Sequence, residues 1–374
     1  MSNGNLNAAT DKAIFDAMNQ SRVTKGDISE LFFQRGVIVS SSTDKETLAK
    51  EFSSFFHSHA DYDRLASILG VNNRKERLTT FGVETSLKAV DVENSVKKIK
   101  DKLNEEGASV KHVVLKDGQK IELRVTYQVL NLSKNDFQQV SVRDAVISIE
   151  DTDDGLNIRY PQNSKVQEFS DIIIDVLESK DKDLDRTEIN LTSLEEPESR
   201  SKFFDLLIEK MEGYTLKDVT DAFVFNPNSS SDTENEREVH IKSASLRGRG
   251  VNLSSELTNL HTKGFYTWKV IWKAVKTNSE SSDLYVFEAQ FTNAEECKDF
   301  SYMVKGSHKR KDKGTVGEAD GHTINRTNTT IAEDNILSKV IEASARSAIN
   351  KLTSDDSQDE EACDDNLEKQ VESA

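Results

Sequence analysis

Ser109 to Leu132 reads SVKHVVLKDGQKIELRVTYQVLNL. Two alternating runs flank Asp117-Gly118. That dipeptide is a strong hairpin signal, because the tight turn that matches strand twist needs positive φ at its central residues. In the second run Ile121, Leu123, Val125, Tyr127 and Val129 fall on one face, and Glu122, Arg124, Thr126 and Gln128 on the other. One apolar and one polar face predict an antiparallel sheet covered on a single side.

The neighbouring segments supply more strands and the cover. Upstream, DVENSVKKIKDKLNEEG places Val92, Val96, Ile99 and Leu103 on one helical stripe and ends at Gly107. Downstream, VSVRDAVISIE and LNIRYP flank the turn DTDDG, and SKVQEFSDIIIDVLESK follows as a second amphipathic helix. Residues 81–181 therefore read as an α+β unit with antiparallel hairpins. The pattern starts again at 182–352, with a helix carrying Phe203, Phe204, Leu207, Ile208 and Met211, several strands, and a C-terminal helix bearing Leu337, Ile341, Ala345, Ala348 and Leu352. Ahead of both lie a flexible polar arm, 1–24, with room for a short helix carrying Ile14, Phe15 and Met18, and a small helical module, 25–80, where Asp27 and the pair Thr43/Glu46 have capping positions. Residues 353–374 read as a disordered acidic tail. The expected class is α+β: a small helical module, two mixed units and a C-terminal helix before that tail.

The chain of 374 residues carries a formal charge of −17, unevenly distributed. Asp355 to Ala374 holds nine acids and one base, whereas His240 to Lys313 holds thirteen Lys/Arg against eight Asp/Glu. An acidic total argues against a basic membrane binder, while the local basic segment leaves room for a polyanionic partner that the tail could shield. There is no run of 18 apolar residues and no apolar leader, so no membrane segment is expected. Cys297 and Cys363 are the only cysteines, and two scattered thiols suit a reducing cytoplasm.

Within the basic segment, YTWKVIWKAVK (Tyr266–Lys276) alternates aromatics with lysines. Strand geometry puts Tyr266, Trp268, Val270, Trp272 and Ala274 toward a core and leaves Lys269 and Lys273 facing out. With Lys242, Arg247 and Arg249 on an adjoining strand and turn, and Lys309, Arg310 and Lys311 on a following loop, these lysines form the candidate nucleic-acid-binding set, since cations on one face neutralise phosphates.

Catalytic signatures are weak. Asp283, Glu288 and Gln290 in DLYVFEAQF approximate the acid then E-x-K order of Mg²⁺-dependent nucleases, but glutamine stands where lysine belongs, and Asp221 is the nearest guess for a further acid. His57, His59, Asp61 and Asp63 in FFHSHADYD have ligand chemistry, but a spacing of two does not converge on a helix, and a helix end and turn, with capping and solvated polar side chains, explains the stretch better than a metal. Acids flank Cys297, which disfavours a reactive thiolate. No nucleotide-binding loop, nucleophile elbow or cofactor motif is present, and no cofactor or metal is expected. The sequence thus predicts a non-catalytic binding or adaptor subunit of a larger cytosolic assembly, with a protein partner, and nucleic acid as a candidate contact of 240–313. The alternative is a Mg²⁺-dependent nuclease, or a nucleic-acid-processing accessory such as those of bacterial phage defence, using Glu288.

Overall fold

A computed structural model describes residues 9–69, 75–115, 118–194, 196–227, 241–311 and 321–371, with side chains to 354 in the last stretch. The fold is α+β with antiparallel strands, and the chain divides into two compact units. The division is interleaved. Residues 76–86 and 151–164 belong to the second unit, although the sequence pattern assigns them to the helical module and the first hairpin unit.

The first unit begins with α1 (Asp11–Asn19), α2 (Lys25–Gln34), α3 (Lys45–Ser53) and α4 (His59–Leu69). Their apolar stripes meet around Ile14, Met18, Ile28, Phe32, Leu48, Phe52 and Leu65. Thr24 rather than Asp27 caps α2, three residues earlier than the sequence pattern suggests, with Asp27 returning the bond in a reciprocal box, while Asp44, next to Thr43, caps α3. Three strands follow in the order β2-β3-β4, where β2 is Ser109–Leu115, β3 Lys120–Leu130 and β4 Val140–Thr152. Gly118 has the left-handed φ of 95° that the hairpin demands, while Asp117 lies outside the described residues. The apolar face of β3 is buried, as are Val92, Val96, Ile99 and Leu103 of α5 (Ala89–Glu105). On the helix α6 (Ser164–Glu178), Phe169 meets Tyr127 edge to face at 5.4 Å.

In the second unit the strand order is β5-β1-β11-β10-β9-β7-β8, with β6 also paired to β1. The strands are β1 (Leu78–Glu84), β5 (Gly155–Pro161), β6 (Asp185–Glu188), β7 (Tyr214–Phe225), β8 (Ser243–Arg247), β9 (Tyr266–Lys276), β10 (Leu284–Asn293) and β11 (Lys298–His308). One face packs on α7 (Pro197–Glu209) and α9 (Ile331–Val371), and α8 (Ser255–His261) closes one end. Gly155 has φ 146°, and a Cβ there would lie 2.1 Å from the Val83 carbonyl oxygen, so only glycine permits this approach of β5 to β1. The helix α9 extends to Val371, past Leu352, where the sequence pattern closes it and the acidic tail begins. The segment from Thr353 to Val371 contains neither glycine nor proline to stop it.

Candidate functional site

The two faces of the second unit's sheet differ in chemistry because each strand alternates. Trp272 and Phe287 stack at 5.4 Å on the core face, with Tyr266, Val270 and Ala274 buried beside them. On the opposite face the register lines residues up across strands. One row runs Ser245, Phe223, Lys269, Gln290, Ser301 and the next Arg247, Asp221, Ile271, Glu288, Met303. Beyond them Asp218 faces Lys273, which faces Val286.

Glu288 is the centre of this face and is only 1% exposed. Arg77 places Nε at 2.7 Å and Nη2 at 2.5 Å from Oε1; Lys269 Nζ lies 3.1 Å from the same oxygen, and Lys305 Nζ donates to Oε2. Burial alone would push the carboxyl up, but hydrogen bonds from Lys305 and Arg77 and the Lys269 charge outweigh it and bring it to about 2. Lys269 is shifted down by burial, with Glu288 partly restoring it, and its ammonium also sits 4.9 Å from the Phe223 ring centre. Ser301 Oγ is buried beside Gln290 and has no hydrogen-bond partner among the described residues.

Lys269 is therefore not the outward lysine that alternation predicts. Its side chain is 14% exposed and committed to Glu288, because the second face is also largely buried: Ile271, Gln290 and Val286 all lie below a tenth exposed. Trp268 leaves the core set as well; consecutive Phe223 and Val224 pair with Lys269 and Thr267, so Trp268 is the extra residue of β9 at this register shift, and its ring meets Phe223 at 6.0 Å.

The arrangement suits an anion better than a divalent metal. Both oxygens of Glu288 are engaged by cations, and three positive groups against one carboxylate repel Mg²⁺. Asp283 sits five residues earlier on the chain, roughly 16 Å at strand rise. It accepts from Lys309 Nζ at 2.5 Å and the Arg310 amide at 3.0 Å, and is held low against the effect of burial by these contacts. Among the described residues the Gln290 side chain reaches only Thr292, at 3.5 Å. Asp221 pairs with Arg247 at 2.5 Å. The three nuclease residues do not converge. Among the described residues no three His, Cys, Asp or Glu side chains are grouped to hold a metal.

No protein-family model, no curated protein and no solved structure matches this chain.

Of the candidate nucleic-acid set, Arg247, Lys269 and Lys273 share the polar face, and Lys242 and Arg249 flank β8, both exposed. Lys242 lies 5.3 Å from the Phe225 ring centre and 4.0 Å from Glu295. Lys309 and Arg310 are organised at the start of β10 around Asp283, and Lys311 is half-buried next to them. The FFHSHADYD segment is a helix start: Asp61 accepts from the Ser58 amide at 2.7 Å and from Arg35 at 2.6 Å. Cys297 is fully buried and free, and burial pushes its thiol up to about 11.

Two features escape sequence reasoning. Lys305 occupies an unremarkable place in DFSYMVKG, and only the β10–β11 register reveals its partner. A second buried network joins Arg159 on β5, Tyr302 on β11 and Glu342 on α9. Arg159 donates through Nε and, at 2.6 Å, Nη2, and the Tyr302 hydroxyl donates to the same carboxylate. Its members lie up to 183 residues apart, so no local pattern links them.

Proposed function

We propose that this protein is a non-catalytic binding subunit of a larger cytosolic assembly and that its second unit contacts a polyanionic partner, nucleic acid being the class its charge layout fits best. The observation that carries this reading is the polar sheet face. Arg247, Lys269, Lys273 and Lys305 converge there with Arg77 and outnumber Asp218, Asp221 and Glu288. The accessible part of the set is its β8 edge. Arg247 is 80% exposed despite its pair with Asp221, and Arg249 and Lys242 stand beside it. Half-buried Phe223 and Trp268 add ring surface on which unpaired bases stack. The buried lysines around Glu288 hold this face in shape, and the exposed arginines make the contact. A free, buried cysteine accords with the cytosolic setting.

The test is fluorescence anisotropy of labelled single-stranded DNA and RNA over a salt series, with wild type and Arg247→Glu/Arg249→Glu. Saturable binding, weakened about tenfold or more in the variant with a shallower salt slope, supports the reading. Absence of binding at low salt, or an unchanged slope, overturns the nucleic-acid contact. Strand cleavage in Mg²⁺ that vanishes in Glu288→Gln overturns the non-catalytic assignment.

A further inference from the structure

A cavity of about 470 Å³ lies elsewhere on the second unit, bounded by β1, β5, β6 and α9. Its floor is a row across three strands, Asn157, Gly82, Thr187. The missing side chain in the middle is what opens it: a Cβ on Gly82 would come within 2.5 Å of Thr187 Oγ1 and 3.3 Å of Arg346 Nη1. Arg346, on α9, lies over this row and donates through Nη2 to Asn157 Oδ1 at 2.8 Å.

Arg346 has no carboxylate within ion-pair distance among the described residues. Its nearest anion, Glu342, is already held by Arg159 and Tyr302. Burial disfavours the charged guanidinium, with Glu342 and Tyr302 offsetting only in part. A half-buried guanidinium facing a cavity with donors to spare is a carboxylate receptor, because its planar fork matches two carboxylate oxygens. Thr187 Oγ1 has no partner among the described residues, and the Asn350 amide lies one helical turn past Arg346 on the same lining.

The lining also carries exposed acids. Glu84 is two residues beyond Gly82 on the same face of β1, about 7 Å along the strand, and Asp154, next to the Gly155 that pairs with Glu84, lines the same cavity; Glu188, also on the lining, faces Phe81 and is paired with Arg186 at 2.8 Å. A simple anion would be repelled by them. We propose that this cavity binds a small molecule with a carboxylate at one end and a cationic amine at the other, the chemistry of a basic amino acid. Arg346 takes the carboxylate and the acids at the mouth take the amine. This site is independent of the polar sheet face, and neither reading depends on the other.

Isothermal titration of the full chain with L-lysine, L-ornithine and L-arginine tests it, with L-lysinamide and hexanoate as controls lacking the carboxylate and the amine. The expected result is saturable one-to-one binding of at least one of the three amino acids and none of either control. Arg346→Lys, and Asn350→Asp at an exposed position that leaves the fold intact, should each weaken binding about tenfold or more. Lysinamide binding as well as lysine would reduce the site to its acids and overturn the proposal. So would silence from all three amino acids at millimolar concentration, or unchanged affinity in both variants while circular dichroism matches wild type.

Discussion

Arg77 holds Glu288 across 211 residues of sequence, with Nε and Nη2 both directed at Oε1. The carboxyl's folded value of about 2 lies below its ordinary 4.5. A depressed acid contributes stability that is complete above the ordinary value and is lost as pH falls through the folded one. The stability gap between wild type and Glu288→Gln should therefore be constant above about pH 5 and shrink toward pH 2. Guanidinium unfolding at stepped pH measures it, and a gap that does not change with pH would remove the assigned role of the cluster.

Lys269→Glu should be far more damaging than Lys273→Glu. The first places a second carboxylate against buried Glu288 and removes one of its three cations, a change on the order of 3–5 kcal/mol for a buried pair. The second alters a half-buried site that faces Asp218 across the strand pair, and its cost should stay near 1 kcal/mol. Chemical denaturation of the two variants checks the ranking. Equal losses would mean that Lys269 is solvated after all.

The Arg159–Glu342–Tyr302 network predicts a graded series. Tyr302→Phe removes one hydroxyl donor to a charged acceptor and should cost about 1.5–3 kcal/mol. Glu342→Gln leaves a 5% exposed arginine without its counter-charge and should cost about 3–5 kcal/mol. Because both changes strike one carboxylate, the double variant should fall short of the sum. Strict additivity in denaturation midpoints would show that the three side chains do not act together.

What the sequence makes legible is local. The pairing of β2 with β3 on either side of Gly118, the α5 stripe from Val92 to Leu103 and the core placement of Trp272 each follow from sequence signals within a dozen or so residues, and each is present in the structure. The α+β class follows from the same signals. The candidate site is only partly legible. Glu288, Lys269 and Arg247 stand out as types on strands, yet the meaning of Glu288 changes once Arg77 and Lys305 are beside it, and those neighbours come from the residue just before β1 and from β11, distant in sequence or unmarked by any local pattern. Alternation also assumes that one face of a strand meets solvent. On β9 both faces are covered, so Lys269 is charged and half-buried at once. The pairing of β1 and β5 across the gap between them, which interleaves the two units, has no local signal at all.

The two tryptophans should separate cleanly in fluorescence. Trp272 is fully buried, stacks on Phe287 at 5.4 Å and donates its Nε1 hydrogen to Met211 Sδ at 3.2 Å. Trp268 is half-buried against Phe223. In Trp268→Phe the remaining emission should be blue-shifted and resist acrylamide, whereas in Trp272→Phe it should be quenched readily. Truncation follows the same order: Trp272→Ala empties a packed site and should cost about 3–5 kcal/mol, Trp268→Ala about 1–2 kcal/mol. If Trp268 takes part in stacking bases, oligonucleotide binding should quench the Trp272→Phe protein and leave the Trp268→Phe protein unchanged. Equal quenching of both by the ligand would place the contact away from this face of β9.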